Sequence, residues 1–172
     1  MTKAKSRKNN HTEDKSNSLK FTDLLMPDLL ILCEDYIVSN ENNLSVIKIL
    51  DMVKPDELPY NPPKLVLIAT FFRNPSIEIS RFIELAPELK VVIRNPSGAL
   101  IEIGEFPISK ISETKPWLVE RLILNLSGGI QLNSSGGYFF EVYGRVHGGN
   151  YEHTHLRLMP VAKPRNLKIV NS

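Results

Sequence analysis

From residue 29 onward, apolar positions recur with the period of extended chain rather than that of helix. The run LLILCEDYIVS stops at the turn-forming cluster Asn40-Glu41-Asn42-Asn43, and NLSVIKILDMV returns, so residues 29–53 predict a first β-hairpin. KPDELPYNPPK, with four prolines, predicts an irregular surface connection. KLVLIATFF is continuously apolar, as expected of a strand covered on both faces. Residues 74–87 fit two patterns: Ile77, Arg81, Glu84 and Leu85 share a helical face, whereas Ile77 and Ile79 alternate like a strand.

LKVVIRNPSGALIEIGEF predicts two strands around a type I turn at Asn95-Pro96-Ser97-Gly98. WLVERLILNL predicts another strand, with Leu122, Leu124 and Leu126 alternating against Arg121, Ile123 and Asn125, and Trp117 at its start packing in or beside the core. GYFFEVYGRV and YEHTHLRL complete the series. About eight short strands, short connections and little helix predict an all-β fold, an antiparallel β-sandwich of immunoglobulin-like or jelly-roll-like type. A chain of 172 residues, 42% of them hydrophobic, can bury one such core.

Charge divides the chain. Residues 1–20 hold six basic and two acidic side chains, giving +4; the whole chain is +2, so the remainder is −2. The tail lacks apolar periodicity, which predicts a disordered basic segment over 1–22, a sandwich over 23–162 and a flexible tail over 163–172. A near-neutral remainder argues against nucleic acid as the partner. No apolar signal core follows the basic start. LLMPDLLILC is interrupted by Pro27 and Asp28 and is too short to span a bilayer, so the expectation is a cytoplasmic protein without membrane contact. Cys33, the single cysteine, excludes an internal disulfide and reads as a small buried hydrophobe.

Two segments carry a resemblance. Asp35 before the Asn-rich turn, the run Leu44-Ser45-Val46-Ile47-Lys48-Ile49-Leu50-Asp51, the Pro-rich loop and the strand Leu65–Phe72 resemble the opening of a family of uncharacterised bacterial β-sandwich proteins. Gly137-Tyr138-Phe139-Phe140-Glu141-Val142-Tyr143-Gly144 resembles that family's late strand. The similarity spans residues 29 to about 158 and implies the sandwich fold; the family brings no established activity.

Candidate chemistry concentrates in YGRVHGGNYEHTHLRLMP. Alternation places Phe140, Val142 and Val146 inward and Glu141, Tyr143 and Arg145 outward. Taking Leu156 and Leu158 as inward sets His153, His155 and Arg157 outward. A three-residue loop Gly148-Gly149-Asn150 then pairs Arg145 with His153, Tyr143 with His155 and Glu141 with Arg157. In that register Tyr143, Arg145, His147, Tyr151, His153, His155 and Arg157 share one face, a composition suited to binding a protein partner or a second copy. His153 and His155, about 6.7 Å apart along a strand, could with His147 hold zinc, but Arg145 beside them opposes a dication.

Nothing else adds chemistry. Glu34 and Asp35 face opposite sides, and the Ser-Gly-Gly and Ser-Ser-Gly-Gly stretches lack the lysine and helix of a phosphate loop. The expectation is therefore a non-enzymatic interaction or scaffolding module without cofactor. The alternatives are a metal-dependent protein using the histidines, or a single-strand nucleic-acid binder with stacking aromatics and a basic tail. No small-molecule ligand is indicated.

Overall fold

The structure is a computed structural model and describes residues 19–40, 43–108 and 119–164. Trp117, most of the basic tail and the last residues of the chain lie outside that range. Among the described residues there are eight strands: β1 (Leu25–Val38), β2 (Leu44–Ile49), β3 (Val66–Arg73), β4 (Glu88–Arg94), β5 (Leu100–Pro107), β6 (Val119–Asn125), β7 (Gly136–Arg145) and β8 (Glu152–Val161). They form two antiparallel four-stranded sheets, a first in the order β2-β1-β3-β6 and a second in the order β5-β4-β7-β8. The protein is an all-β sandwich.

Alternation explains the core. From the first sheet Leu32, Leu67, Ala69 and Phe71 point inward; from the second, Leu89, Val91, Ile93, Phe140, Val142 and Met159 meet them. β3, continuously apolar in sequence, is covered on both faces. Its Val66 and Ile68 pack with Cys33 in a smaller cluster on the other side of the first sheet. Cys33 is fully buried, and that burial pushes its thiol up from its ordinary value, as expected of a packing residue. The Asn95 turn forms as read: Gly98 N donates to Asn95 O at 2.9 Å, with Gly98 in the left-handed region at φ +87°.

Of residues 74–87, the second half forms a helix and no strand forms. α2 (Ile79–Leu85) buries Phe82 and ends where Ala86 turns left-handed before Pro87. A further short helix, α1 (Phe21–Leu24), falls partly inside the stretch expected to be tail. Phe21 is fully buried and sits edge-on to Phe71, with ring centroids 5.8 Å apart. Glu152 fastens the segment, accepting from Phe21 N and from the Thr22 hydroxyl, both at 3.2 Å. The folded unit therefore begins before residue 23, because the apolar end of this segment closes the sandwich.

The last hairpin departs from the expected register. Tyr143 pairs with His153, but Val142 pairs with His155, so β8 sets two residues, His153 and Thr154, against one on β7. Thr154 uses its hydroxyl to donate to Val142 O at 2.9 Å. This bulge inverts the alternation for the rest of the strand. Leu156 and Leu158, taken above as inward, are 55% and 44% exposed, while His155, Met159 and Val161 are buried.

Candidate functional site

The outer face of the second sheet follows from its registers. β4 and β7 pair Glu88 with Arg145, Lys90 with Tyr143, Val92 with Glu141 and Arg94 with Phe139, and these alternate with the inward pairs Val91–Val142 and Ile93–Phe140. β5 adds Glu105, Glu102 and Leu100; β8 adds His153, Leu156 and Leu158.

Its charges neutralise one another laterally. Arg94 reaches both oxygens of Glu141, at 2.9 and 3.4 Å, and the Tyr143 hydroxyl donates to the same carboxylate. Glu141 is thus buried, 6% exposed, beneath partners that hold its carboxyl below the usual range; the Arg94 hydrogen bond is the principal cause. Lys90 pairs with Glu102 at 2.6 Å, and Arg145 pairs with Glu88 while extending toward Glu105 at 3.6 Å.

Aromatic contacts complete the face. Tyr143 and His153 meet edge to face at 5.2 Å, and the Arg145 guanidinium lies 4.3 Å from the Tyr151 ring centre. Burial, then the nearby Glu105 carboxylate, pushes the Tyr151 phenol up to about 12, although its hydroxyl makes no well-formed hydrogen bond. Between Tyr143 and Tyr151 runs a groove of about 240 Å³ over Lys90, Val92, Leu100 and Glu102. Beside it, Phe139, Leu156 and Leu158 add an apolar strip, and Leu158 lies over Gly137, where a Cβ would come within 2.9 Å of its Cδ1.

Of the seven residues expected on this face, four are there: Tyr143, Arg145, Tyr151 and His153. The other three go elsewhere. His147 sits in the connecting loop, its amide donating to Leu85 O at 2.8 Å. His155, beyond the bulge, points between the sheets and stacks edge-on against Phe71 at 4.7 Å. Arg157 turns to Asp51 at 2.9 Å instead of Glu141. Arg145 faces Glu88 across β4, not His153. The zinc reading fails with that register, because the three histidines occupy three separate environments. Among the described residues no group of three or more His, Cys, Asp or Glu could hold a metal ion. Arg94 and Lys90 escape the sequence reading because they belong to the site through β4, whose place beside β7 no local pattern announces; Glu141, read as outward, meets Arg94 there instead of the expected Arg157.

Fold and face together define a two-sheet β-sandwich with a mixed aromatic, charged and apolar outer surface on one sheet. No helix among the described residues is long and apolar enough to cross a membrane. Compared with protein-family models, curated proteins and solved structures, the chain matches none.

Proposed function

We propose that this protein is a non-enzymatic interaction module that holds a protein partner against the outer face of β5-β4-β7-β8. The observation that carries the reading is the outward orientation of Leu156 and Leu158, which with Phe139 and Leu100 gives the face apolar surface that a lone sandwich leaves in water. Tyrosine and arginine beside such a strip are the side chains most enriched where binding energy concentrates. A nucleic-acid strand is poorly served, since Glu88, Glu102, Glu105 and Glu141 outnumber Lys90, Arg94 and Arg145. A cytoplasmic setting and kinship with uncharacterised bacterial β-sandwich proteins belong to the same proposal.

Replacing Leu156 and Leu158 by glutamine tests it. The variant should stay folded with at most a modest drop in urea midpoint, because both side chains are about half in water and no like charge is set against Glu141, and should lose the partners recovered from host lysate or any oligomer detected by light scattering. Unchanged partners and unchanged oligomer in this variant and in Tyr143→Ala/Arg145→Ala would overturn the reading.

A further inference from the structure

We propose that the cleft between the end of β2 and the proline-rich stretch before β3 binds a small organic phosphate, with Lys48, Lys54 and Lys64 meeting the charged group and Tyr60 meeting its body. The cleft holds about 500 Å³, a size usual for ligand sites. Main-chain hydrogen bonds fix both of its walls. On one side Leu50 N donates to Leu32 O at 2.8 Å, and Val53 is tied to the end of β8 through Pro160 O and Ala162 N, both at 2.9 Å. On the other side Tyr60 exchanges two bonds with Leu132, at 2.9 and 2.8 Å, and Pro62 O accepts from Gly128 N at 2.9 Å. Walls anchored in this way keep their shape without a ligand, which lowers the ordering cost of binding one.

The charges that line the cleft are Lys48, Lys54, Lys64 and Glu34. Glu34 pairs with Lys48 at 2.5 Å, so among the described residues Lys54 and Lys64 are left without an acid. Asp51 is turned to Arg157 at 2.9 Å, and Asp56 and Glu57, on the same connection, stand outside the lining. Ammonium groups act as point charges and suit a multiply charged, tetrahedral phosphate; a planar carboxylate is better met by the fork of arginine, which the lining lacks. Leu50, Met52, Tyr60 and Pro62 put apolar surface beside the lysines, so the phosphate should carry an apolar or planar body. A second, independent feature marks the same place. Lys48 stands in the left-handed region at φ +52°, inside β2, where a residue with a side chain is disfavoured. Residues held in that way cluster at ligand-binding positions, and this one lines the cleft.

Amide NMR shifts of the isotope-labelled full chain, titrated with ADP, pyrophosphate and adenosine in about 50 mM salt, test the site. ADP should move the amides of residues 48–54 and 60–64 and should bind at least about fivefold more tightly than pyrophosphate or adenosine, because it alone has both the charge and the body. Lys54→Gln/Lys64→Gln should weaken ADP about tenfold and leave the urea midpoint unchanged, since both side chains are exposed. Lys48→Gly, which relieves the left-handed backbone, should raise the urea midpoint and yet weaken ADP about threefold. No shifts up to about 10 mM ADP, equal binding of pyrophosphate, shifts that survive Lys54→Gln/Lys64→Gln, or wild-type affinity in Lys48→Gly would each overturn the proposal.

Discussion

Replacing Gly144 by alanine should unseat the segment that closes one end of the sandwich. A Cβ at that position would lie 2.4 Å from Phe21 Cδ1 and Cε1 and 2.5 Å from Cγ, far inside contact distance for a ring that is itself fully buried. Phe21 cannot move aside freely, because it packs on Phe71 and its amide is fixed to Glu152. If the neighbours give slightly, the cost is that of overpacking, about 1–3 kcal/mol. If the ring is expelled, it approaches the about 3–5 kcal/mol of losing a buried phenylalanine. Either is a large share of a total stability of about 5–15 kcal/mol. Urea unfolding followed by circular dichroism measures it, and a double-mutant cycle identifies the cause. Phe21→Ala alone should cost about 3–5 kcal/mol, and adding Gly144→Ala should then cost less than about 0.5 kcal/mol, since the ring it would strike is gone. Additive costs would refute the reasoning, for they would place the penalty of Gly144→Ala somewhere other than Phe21.

Other consequences are equally direct. Leu156→Lys should change stability by less than about 0.5 kcal/mol whereas Met159→Lys should cost upwards of about 4 kcal/mol; equal penalties in denaturant titrations would remove the bulge at Thr154. Glu141→Gln should cost about 1–2 kcal/mol at neutral pH, a charge-assisted network discounted for the exposure of Arg94. Because the folded carboxyl lies below its unfolded range, that difference should shrink as pH falls below about 4, read from urea midpoints across an acid series. Alkaline ultraviolet titration should show Tyr143, donating to Glu141, and Tyr151 both ionising late, Tyr151 near 12, and Tyr151→Phe should reduce the late amplitude by one phenol, while stability declines above about pH 10 as the unfolded phenols ionise first.

Much of the sandwich was legible locally. Asn40–Asn43, the proline-rich 54–64 stretch and Asn95–Gly98 punctuate runs whose alternation already separates inward from outward positions, and β7 obeys its pattern from Tyr138 to Val146. β8 does not, and the reason is physical. A bulge built on Thr154 needs no glycine or proline, so nothing in YEHTHLRL marks it. The leucines were then assigned inward because they are leucines, although this face keeps apolar side chains in water. The same error carried His155 and Arg157 onto the outer face and gave Arg145 the wrong partner. Phe21 was lost to the tail because a single aromatic among lysines, asparagines and serines shows no period.

By itself, then, the sequence determined the class of fold, the order and extents of most strands, the burial of Cys33 and four members of the outer face. These follow from alternation and turn chemistry, which act over a few residues. Only the tertiary structure decided which non-consecutive strands lie side by side, that Glu141 meets Arg94, that Gly144 makes room for Phe21, and that His155 looks between the sheets. Those outcomes depend on pairings between residues up to 131 positions apart and on one extra residue in one strand, and neither is encoded in any local spacing.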